Sequence, residues 1–253
     1  MKVQILGIPI DAITRTEAQM KVERFLNERV THLVVTPNPE MLVDASRDER
    51  FAEVLRNADL SVPDGAGLQV AARLTGQRFP ERIPGADFTE DICAIAAEKG
   101  KKVFLLGGLN EDSVTKAADA LRRRHADLAV VGAEHGGEIT ESDNRLSVRG
   151  AVIDRINESK ADILIVGFGH RRQELWLHDN LPRLPGIQLG IGVGGTFDFI
   201  SGAVHRAPAS LRRVGLEWLW RLIMQPWRWR RIWKAVAVFP MLVIRGKHDK
   251  INR

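Results

Sequence analysis

The sequence has one cysteine, Cys93, which cannot form an intramolecular disulfide. It also lacks an apolar run near the ~20 residues that cross a bilayer. The longest candidate, residues 235–244, is too short and contains Pro240. The apolar run at 3–13 is broken by polar residues and proline, and no small-residue cleavage site follows it, so it does not resemble a signal peptide. We therefore expect no oxidising compartment, no leader and no spanning segment.

Motifs that hold catalytic metals or nucleophiles are missing as well. The chain has no D-x-D, no H-E-x-x-H and no cysteine cluster, and His170 and His178 lack ligand spacing. No G-x-S-x-G occurs, which argues against an activated serine. We expect no metal and no cofactor. Any chemistry would depend on a carboxylate base and on fixed donors that stabilise a leaving diphosphate.

Charge is unevenly distributed along the chain. From His205 onward there are twelve Lys/Arg against two acidic residues, whereas the rest of the chain has twenty-five against thirty. Five of the six tryptophans lie between 218 and 233, interleaved with arginines. Such Trp/Arg helices favour a bilayer interface, where indoles lie at headgroup depth and guanidiniums meet phosphate. Binding to a nucleic acid, or packing of these tryptophans on the domain, are the alternatives.

Short, continuous apolar runs alternate with amphipathic segments, which is typical of a parallel sheet covered on both faces. Predicted strands are 3–10, 32–35, 59–62, 103–106, 128–131, 163–166 and 187–193. The predicted helices with both ends assigned are 17–29, 48–57, 67–74, 112–125 and 145–159. The first of them has a capping box from Thr16 to Gln19. A further helix begins at Pro39, another is capped by Asp87 and ends at Gly100, and a last one begins within residues 167–174. Residues 132–144 are predicted to form a loop.

Polar residues follow two of these strands directly. Thr36 and Asn38 come after the second strand, and Asp64 after the third. The carboxyl ends of parallel strands are where open α/β sheets place their ligands. Asp64 can therefore be a general base, although a turn residue or a helix N-cap is the alternative.

Three glycine-rich turns follow later strands, at Gly107, Gly167 and Gly194. Each is a weak signal alone, but together they indicate a nucleotide or phosphate site at one sheet edge. The middle turn adds Arg171, Arg172 and Gln173, donors that suit a diphosphate. A solvated basic turn is the alternative reading.

Seven short motifs, in order over nearly the whole chain, resemble the WecG/TagA/CpsF glycosyltransferases. They are 36–40 (TPNPE), 63–67 (PDGAG), 82–87 (RIPGAD), 104–108 (FLLGG), 192–198 (GVGGTFD), 201–208 (SGAVHRAP) and 216–221 (LEWLWR). The resemblance implies a Rossmann-like domain over 1–204 and a basic, helical, membrane-associating appendage over 205–253.

The resemblance also implies an activity. Members of the family invert the anomeric centre and need no metal when they transfer a sugar from a UDP-sugar to a polyprenyl-diphosphate-linked sugar. The reaction belongs to polysaccharide or teichoic-acid synthesis at the cytoplasmic membrane face. N-acetylmannosamine is the expected donor sugar and GlcNAc the expected acceptor, while glucose or a uronic acid are alternative donors. Whether the chain forms a homo-oligomer stays open.

Motif matching assigns roles to residues. Asp64 takes the family's general-base position, and Thr36 and Gln173 join it as catalytic candidates. Arginines of the appendage are expected to reach the diphosphate when the appendage closes over the site. The predicted substrate-binding residues are Asn38, Arg82, Gly107, Gly108, Arg172, Gly194, Asp198, Arg221, Arg228 and Arg231.

One motif departs from the family pattern. The family segment G-x-P-K-Q-E reads Gly-His-Arg-Arg-Gln-Glu at 169–174, so arginine replaces the proline and Arg172 keeps the lysine's charge. The family's local turn is therefore not assured here. Two competing classes remain: a nucleotide-binding oxidoreductase, and a non-catalytic protein that binds nucleotides, nucleic acid or a membrane.

Overall fold

The computed structural model describes residues 1–142, 145–148 and 151–251 of the 253-residue chain. Its strands are β1 (Lys2–Ile5), β2 (Ile8–Asp11), β3 (His32–Val35), β4 (Leu60–Ser61), β5 (Lys102–Gly107), β6 (Ala129–Glu134), β7 (Ile139–Ser142), β8 (Arg145–Val148), β9 (Ile163–Gly167) and β10 (Leu189–Gly192). Its helices are α1 (Arg15–Phe25), α2 (Pro39–Ala45), α3 (Glu49–Arg56), α4 (Ala66–Leu74), α5 (Gly85–Glu98), α6 (Glu111–Arg124), α7 (Val152–Ser159), α8 (Arg172–Asn180), α9 (Thr196–Ile200), α10 (Ala209–Arg213), α11 (Glu217–Met224), α12 (Trp229–Trp233) and α13 (Phe239–Ile251).

Six strands form one parallel sheet in the order β4-β3-β10-β9-β5-β6. Successive side chains of a strand point to opposite faces, so each strand contributes to two cores. In β9, Leu164 and Val166 are buried in one core, and Ile163 and Ile165 in the other. Helices α2, α3, α4 and α8 cover the first face, and α1, α5 and α6 the second. The predicted α/β class, with helices on both faces of a parallel sheet, is confirmed.

The first predicted strand, 3–10, is wrong as a single strand. The chain turns at Leu6 and Gly7, where φ is +49° and +79°, and β1 and β2 pair as an antiparallel hairpin beside the main sheet. Glycine adopts positive φ without a steric penalty, so Gly7 lets the chain reverse direction although the apolar run continues through the turn. The hairpin still buries its apolar residues in the first core.

The predicted loop at 132–144 and the first part of the predicted helix at 145–159 are also wrong. β6 extends to Glu134, β7 and β8 form a second antiparallel hairpin, and α7 begins only at Val152. Residues 143–144 and 149–150 lie outside the described residues. The hairpin packs on α8: Leu146 is buried, its N–H donates to Asp179, and its carbonyl accepts from Asn180.

Two predicted helix caps are wrong, by two residues in α1 and by three in α5. The capping box of α1 uses Thr14 and Glu17, not Thr16 and Gln19. α5 begins at Gly85, directly after Pro84, so Asp87 lies in the first turn and is not the N-cap. Pro84 is itself the N-cap, with an extended backbone (φ −62°, ψ 131°), and no side chain caps this helix.

The predicted appendage, the tail at residues 205–253, contains helices α10 to α13, of which α11, α12 and α13 line the cavity at the carboxyl edge of the sheet. A 3₁₀ turn, Pro226–Arg228, joins α11 to α12, and a π-helical segment, Lys234–Val238, joins α12 to α13. Phe239 and Val243 anchor the tail, since both are buried in the first core. None of the helices, over the residues described, is long and apolar enough to cross a membrane.

Candidate active site

A cavity of about 730 Å³ opens at the carboxyl edge of the parallel sheet. Loops after β3, β4, β5, β9 and β10 line it from one side, and the tail helices from the other. Ligands of open α/β sheets bind at this edge. Eleven of the predicted site residues line the cavity: Thr36, Asn38, Asp64, Arg82, Gly108, Gln173, Gly194, Asp198, Arg221, Arg228 and Arg231.

Asp64 is held at the cavity by its backbone. The loop after β4 continues the pairing with the loop after β3, and the Asp64 N–H donates to the Pro37 carbonyl at 2.9 Å. The next residue, Gly65, has a φ of +96°, which favours glycine. Gly65 is also the N-cap of α4, and no side chain caps that helix, so Asp64 is not an N-cap.

The environment of Asp64 suits a general base. Burial, and then the charge of Glu217, raise the pKa of this carboxyl to about 6. The N–H of Gly85 and the charges of Arg221 and Arg82 oppose the shift. A base with a pKa near the working pH is both ionised and able to take a proton. The sequence reasoning missed Glu217, although the residue lies inside a matched motif.

Thr36 and Asp64 come close together at the start of α5. A Cβ on Gly85 would lie 3.2 Å from Thr36 Oγ1 and 3.4 Å from Asp64 Oδ2. Glycine at position 85 therefore lets the start of α5 approach Thr36 and Asp64 closely. Asn38, two residues after Thr36, has a structural role. Its Oδ1 accepts a hydrogen bond from the Met41 N–H and so caps α2.

Gln173 connects two of the loops. Its Nε2 donates to Glu174 at 2.6 Å, and its Oε1 accepts the Gly194 N–H at 2.8 Å. The side chain is 2% exposed, and burial raises the pKa of the neighbouring Glu174 carboxyl. Gln173 therefore fixes the loop after β9 against the loop after β10.

Two tail arginines that line the cavity, Arg221 and Arg228, form no ion pair with a carboxylate among the residues described. Arg221 lies over the Phe199 ring at 4.5 Å from its centroid, and Arg228 donates to the Gln225 side chain. Burial lowers the pKa of Arg221; burial, and then the charges of Arg231 and Arg221, lower that of Arg228 to about 10. Clustered, half-buried guanidiniums are stabilised by an anion, and a diphosphate accepts their hydrogen bonds well.

Asp198 lies beside these arginines, in the first turn of α9. Burial raises its pKa, and the Leu109 N–H together with the charges of Arg228 and Arg221 oppose the rise. Its Oδ1 is buried without a hydrogen-bond partner among the described residues. Asp198 therefore contributes a carboxylate, a hydrogen-bond acceptor, to the wall of the cavity.

Arg231 has a different environment from the other two arginines. Its Nε donates to both oxygens of Glu40, at 2.8 and 3.0 Å, and its Nη2 lies 2.9 Å from His170 Nδ1. His170 Nε2 in turn lies 2.9 Å from Asp44, which also binds Lys234. We call these five residues the latch, since they join the tail to α2 and to the loop after β9.

Three residues of the latch bear on the prediction, made from the sequence, that the chain has no group of metal ligands. Glu40, Asp44 and His170 offer ligand atoms within 4.8 Å of one another. Cations of the tail already bind both carboxylates, however. His170 and Lys234 overcome the effect of burial and lower the pKa of Asp44 to about 2. The acidic pair is therefore satisfied by side chains of this chain.

Arg82 makes a second connection between the core and the tail, because its Nη2 donates to the Arg212 carbonyl at 2.7 Å. Nearby, Arg206 pairs with Asp87 and lies 3.7 Å from Glu217. Sequence reasoning did not single out Arg206. These contacts hold α10 and α11 over the loop that carries Asp64.

Two predicted substrate-binding residues do not line the cavity. Arg172 is exposed at the start of α8. Gly107 allows β5 and β9 to approach, since a Cβ there would lie 2.7 Å from the Gly167 backbone. Arg171, at the family's proline position, has a φ of +68° and pairs with Asp48. The turn after β9 thus differs from the one that proline would form.

Glycines in and after β10 follow the spacing G-x-G-x-x-G over residues 190–195. The first two lie inside the strand and serve packing: a Cβ on Gly190 would lie 3.0 Å from Leu177, and one on Gly192 2.7 Å from Gln173. In a dinucleotide site these glycines lie in the turn, against the pyrophosphate. The arrangement therefore does not support the oxidoreductase alternative.

The tail turns large apolar side chains outward. Trp227, Trp229 and Trp233 are 73%, 56% and 62% exposed. None of the five tail tryptophans is buried, so packing in the domain core does not account for them. Exposed apolar side chains beside basic ones are typical of proteins that meet a membrane or a partner.

Comparison with known proteins agrees with these motifs. The family described as "Glycosyl transferase WecG/TagA/CpsF family" matches residues 3–253. A Bacillus subtilis N-acetylglucosaminyldiphosphoundecaprenol N-acetyl-beta-D-mannosaminyltransferase is 29% identical over 90% of this chain and 85% of its own. A Staphylococcus aureus protein with the same description is 32% identical over 97% of this chain and 93% of its own. The chain therefore belongs to the WecG/TagA/CpsF family and is a glycosyltransferase, as its motifs predicted.

Proposed function

We propose that the protein transfers N-acetylmannosamine from UDP-N-acetylmannosamine to GlcNAc-diphosphoundecaprenol. The main support is one combination of groups: Asp64, whose pKa is raised to about 6, shares a cavity with Arg221 and Arg228, for which no carboxylate partner is described. A base and an anion site in one cavity are what transfer from a nucleotide sugar requires. The relatives' names supply the sugars.

The reaction is a single displacement in this proposal. Asp64 takes the proton of the acceptor hydroxyl, and the oxygen forms a bond to the anomeric carbon. The bond from that carbon to the UDP oxygen breaks, and its electron pair leaves with UDP. A single displacement inverts the anomeric centre. Arg221 and Arg228 stabilise the charge that develops on the diphosphate, which supports a reaction without a metal.

The proposed location is the inner face of the plasma membrane. The acceptor is lipid-linked in the named relatives. The exposed tryptophans of the tail and its excess of basic residues would bind an anionic bilayer from outside, without crossing it. Nucleic acid is not needed as a partner, and assembly into a homo-oligomer stays a prediction.

Release of UDP from a panel of UDP-sugars, with a short-chain polyprenyl-diphosphate-GlcNAc acceptor, tests the proposal. We expect release that requires the acceptor, prefers UDP-N-acetylmannosamine and survives EDTA. Preference for UDP-glucose or a uronic acid donor would retain the chemistry and correct the sugar. UDP binding without release, combined with salt-sensitive binding of single-stranded DNA, would favour the non-catalytic alternative.

A further inference from the structure

The cavity divides into two chemically distinct parts. Charged side chains surround Asp64 at one end, where the charges of Glu217, Arg221 and Arg82 all shift its pKa. The other end, which we call the apolar arm, runs between one face of α4 and one face of the tail helix. α4 contributes Val70, Ala71 and Leu74, and the tail contributes Val236, Phe239 and Val243.

The spacing of these residues makes the arm a continuous groove. Positions 70, 71 and 74, like positions 236, 239 and 243, recur at three- and four-residue intervals, so each set occupies one helix face. The helices meet at one end, where a Cβ on Gly67 would lie 3.9 Å from the Phe239 ring. From Gly67 to Leu74, α4 extends about 10 Å.

Burial within the arm is graded from floor to rim. Ala71, Phe239 and Val243 are almost inaccessible, at 2%, 1% and 4% exposure. Leu74 and Val236, on opposite rims, are 41% and 45% exposed. An apolar floor with exposed apolar rims is an open groove, and exposing it to water without an occupant is unfavourable.

The lining that α4 and the tail helix give to the arm carries no charged side chain in the described part of the chain. Gln69 and Arg73 of α4 do not line the cavity, and neither does Lys234 of the tail. The arm therefore excludes a second sugar or a nucleotide, whose hydroxyls and phosphates would lose water without gaining hydrogen bonds.

We propose that the apolar arm binds the first isoprene units of a polyprenyl diphosphate. The proposal rests on the proposed function, because the arginines would hold the diphosphate at the cavity's charged end. A diphosphate held there directs its hydrocarbon chain either to solvent or into the arm. The division of one cavity into charged and apolar parts matches an amphipathic ligand, and the chain then leaves between α4 and the exposed tail.

Binding of isopentenyl, geranyl and farnesyl diphosphate by calorimetry tests this inference. The three probes share a headgroup and differ by one isoprene unit each, and vesicles are left out so that the tail meets no bilayer. We expect farnesyl diphosphate to bind at least about tenfold more tightly than isopentenyl diphosphate, since each methylene that becomes buried strengthens binding about fourfold.

The variant Leu74→Gln places a polar group on the rim, where the side chain is 41% exposed, so we expect it to fold normally. We expect it to weaken farnesyl diphosphate binding about fivefold and to leave isopentenyl diphosphate unchanged. Leu74→Met should restore the preference. Met20→Gln, on α1 and 64% exposed outside the cavity, is the matched control and should change nothing.

Each other outcome overturns the inference. Equal binding of all three probes would show that the chain does not enter the protein. A chain-length preference that Leu74→Gln leaves intact, or equal weakening of all three probes, would show that Leu74 does not contact the hydrocarbon chain and would place the chain elsewhere. UDP release is measured separately, so a failed transferase assay with intact farnesyl preference would refute the proposed reaction and not the arm.

Discussion

Replacing Asp64 by asparagine separates the role of this residue in catalysis from its role in stability. Asparagine has nearly the same shape and keeps an oxygen that can accept the Gly85 N–H, but it cannot take a proton. Loss of a positioned base typically slows a reaction by about 10²–10⁴-fold, equivalent to roughly 3–5 kcal/mol in the activation barrier. We expect UDP release to fall by this factor, with UDP binding nearly unchanged.

The effect on stability has the opposite sign. The pKa of Asp64 is about 6 in the folded protein against an ordinary 3.8, so the folded chain binds the proton more tightly than the unfolded chain does. The free energy of unfolding therefore falls as the pH rises through the range between these values, and the loss persists at pH 7. A pKa difference of this size corresponds to at most about 3 kcal/mol. Solvent at this half-buried carboxyl reduces the effect, and we expect Asp64→Asn to gain about 1–2 kcal/mol at pH 7.

Urea unfolding at pH 7 and at pH 4, next to steady-state UDP release, measures both effects. The increase in the free energy of unfolding should be present at pH 7 and largely absent at pH 4, where the Asp64 carboxyl of the wild-type protein is protonated. Asp127→Asn, at an exposed aspartate outside the cavity, is the control and should alter neither quantity. A variant that loses activity and stability together at pH 7 would refute the reasoning, since it would make Asp64 a structural residue.

Three further changes probe the tail. Glu217→Gln removes a charge that raises the pKa of the catalytic carboxyl, so the acid limb of kcat/KM should move to lower pH, and an unmoved limb would exclude this coupling. Arg228→Gln should lower kcat/KM about 10–100-fold, whereas the exposed neighbour Arg230→Gln should have no effect; equal losses would indicate a general effect of charge. Trp227→Ser combined with Trp233→Ser should weaken sedimentation with anionic vesicles about tenfold and preserve turnover of a water-soluble acceptor. Undiminished sedimentation would contradict the membrane-binding role of these tryptophans.

The sequence predicted the central sheet because each of its strands is a short, continuous apolar run between turn residues. The same logic placed Thr36 and Asp64 at one edge, since parallel strands all end there. It failed at the two hairpins. The first hairpin turns at Leu6 and Gly7 inside an apolar run, so the run reads as one strand. The strands of the second hairpin, β7 and β8, are short and partly polar, so they do not show the apolar pattern of a strand.

The latch could not be predicted, for a different physical reason. Asp44, His170 and Lys234 are far apart along the chain, and each resembles an ordinary surface residue in its own segment. Their contacts depend on how the tail docks, which no periodicity encodes. Glu217 was missed for the same reason: its motif identified a helix, but its influence on Asp64 arises only when α11 lies over the loop after β4.

These contacts divide the site between two parts of the chain. The core supplies Asp64 and the loops around it, whereas the tail supplies the unpaired arginines, the charge of Glu217 and one side of the apolar arm. Without the docked tail, the cavity would lose Arg221, Arg228 and the charge of Glu217 beside Asp64. The tail helices that dock on the core also carry the exposed tryptophans. Phe239 is buried against the core, whereas Trp233 is exposed. A surface that binds the exposed side of the tail only while the tail is docked stabilises the docked state, because a ligand shifts an equilibrium toward the state it prefers. A tail of this kind couples assembly of the site to whatever binds the tail's exposed face.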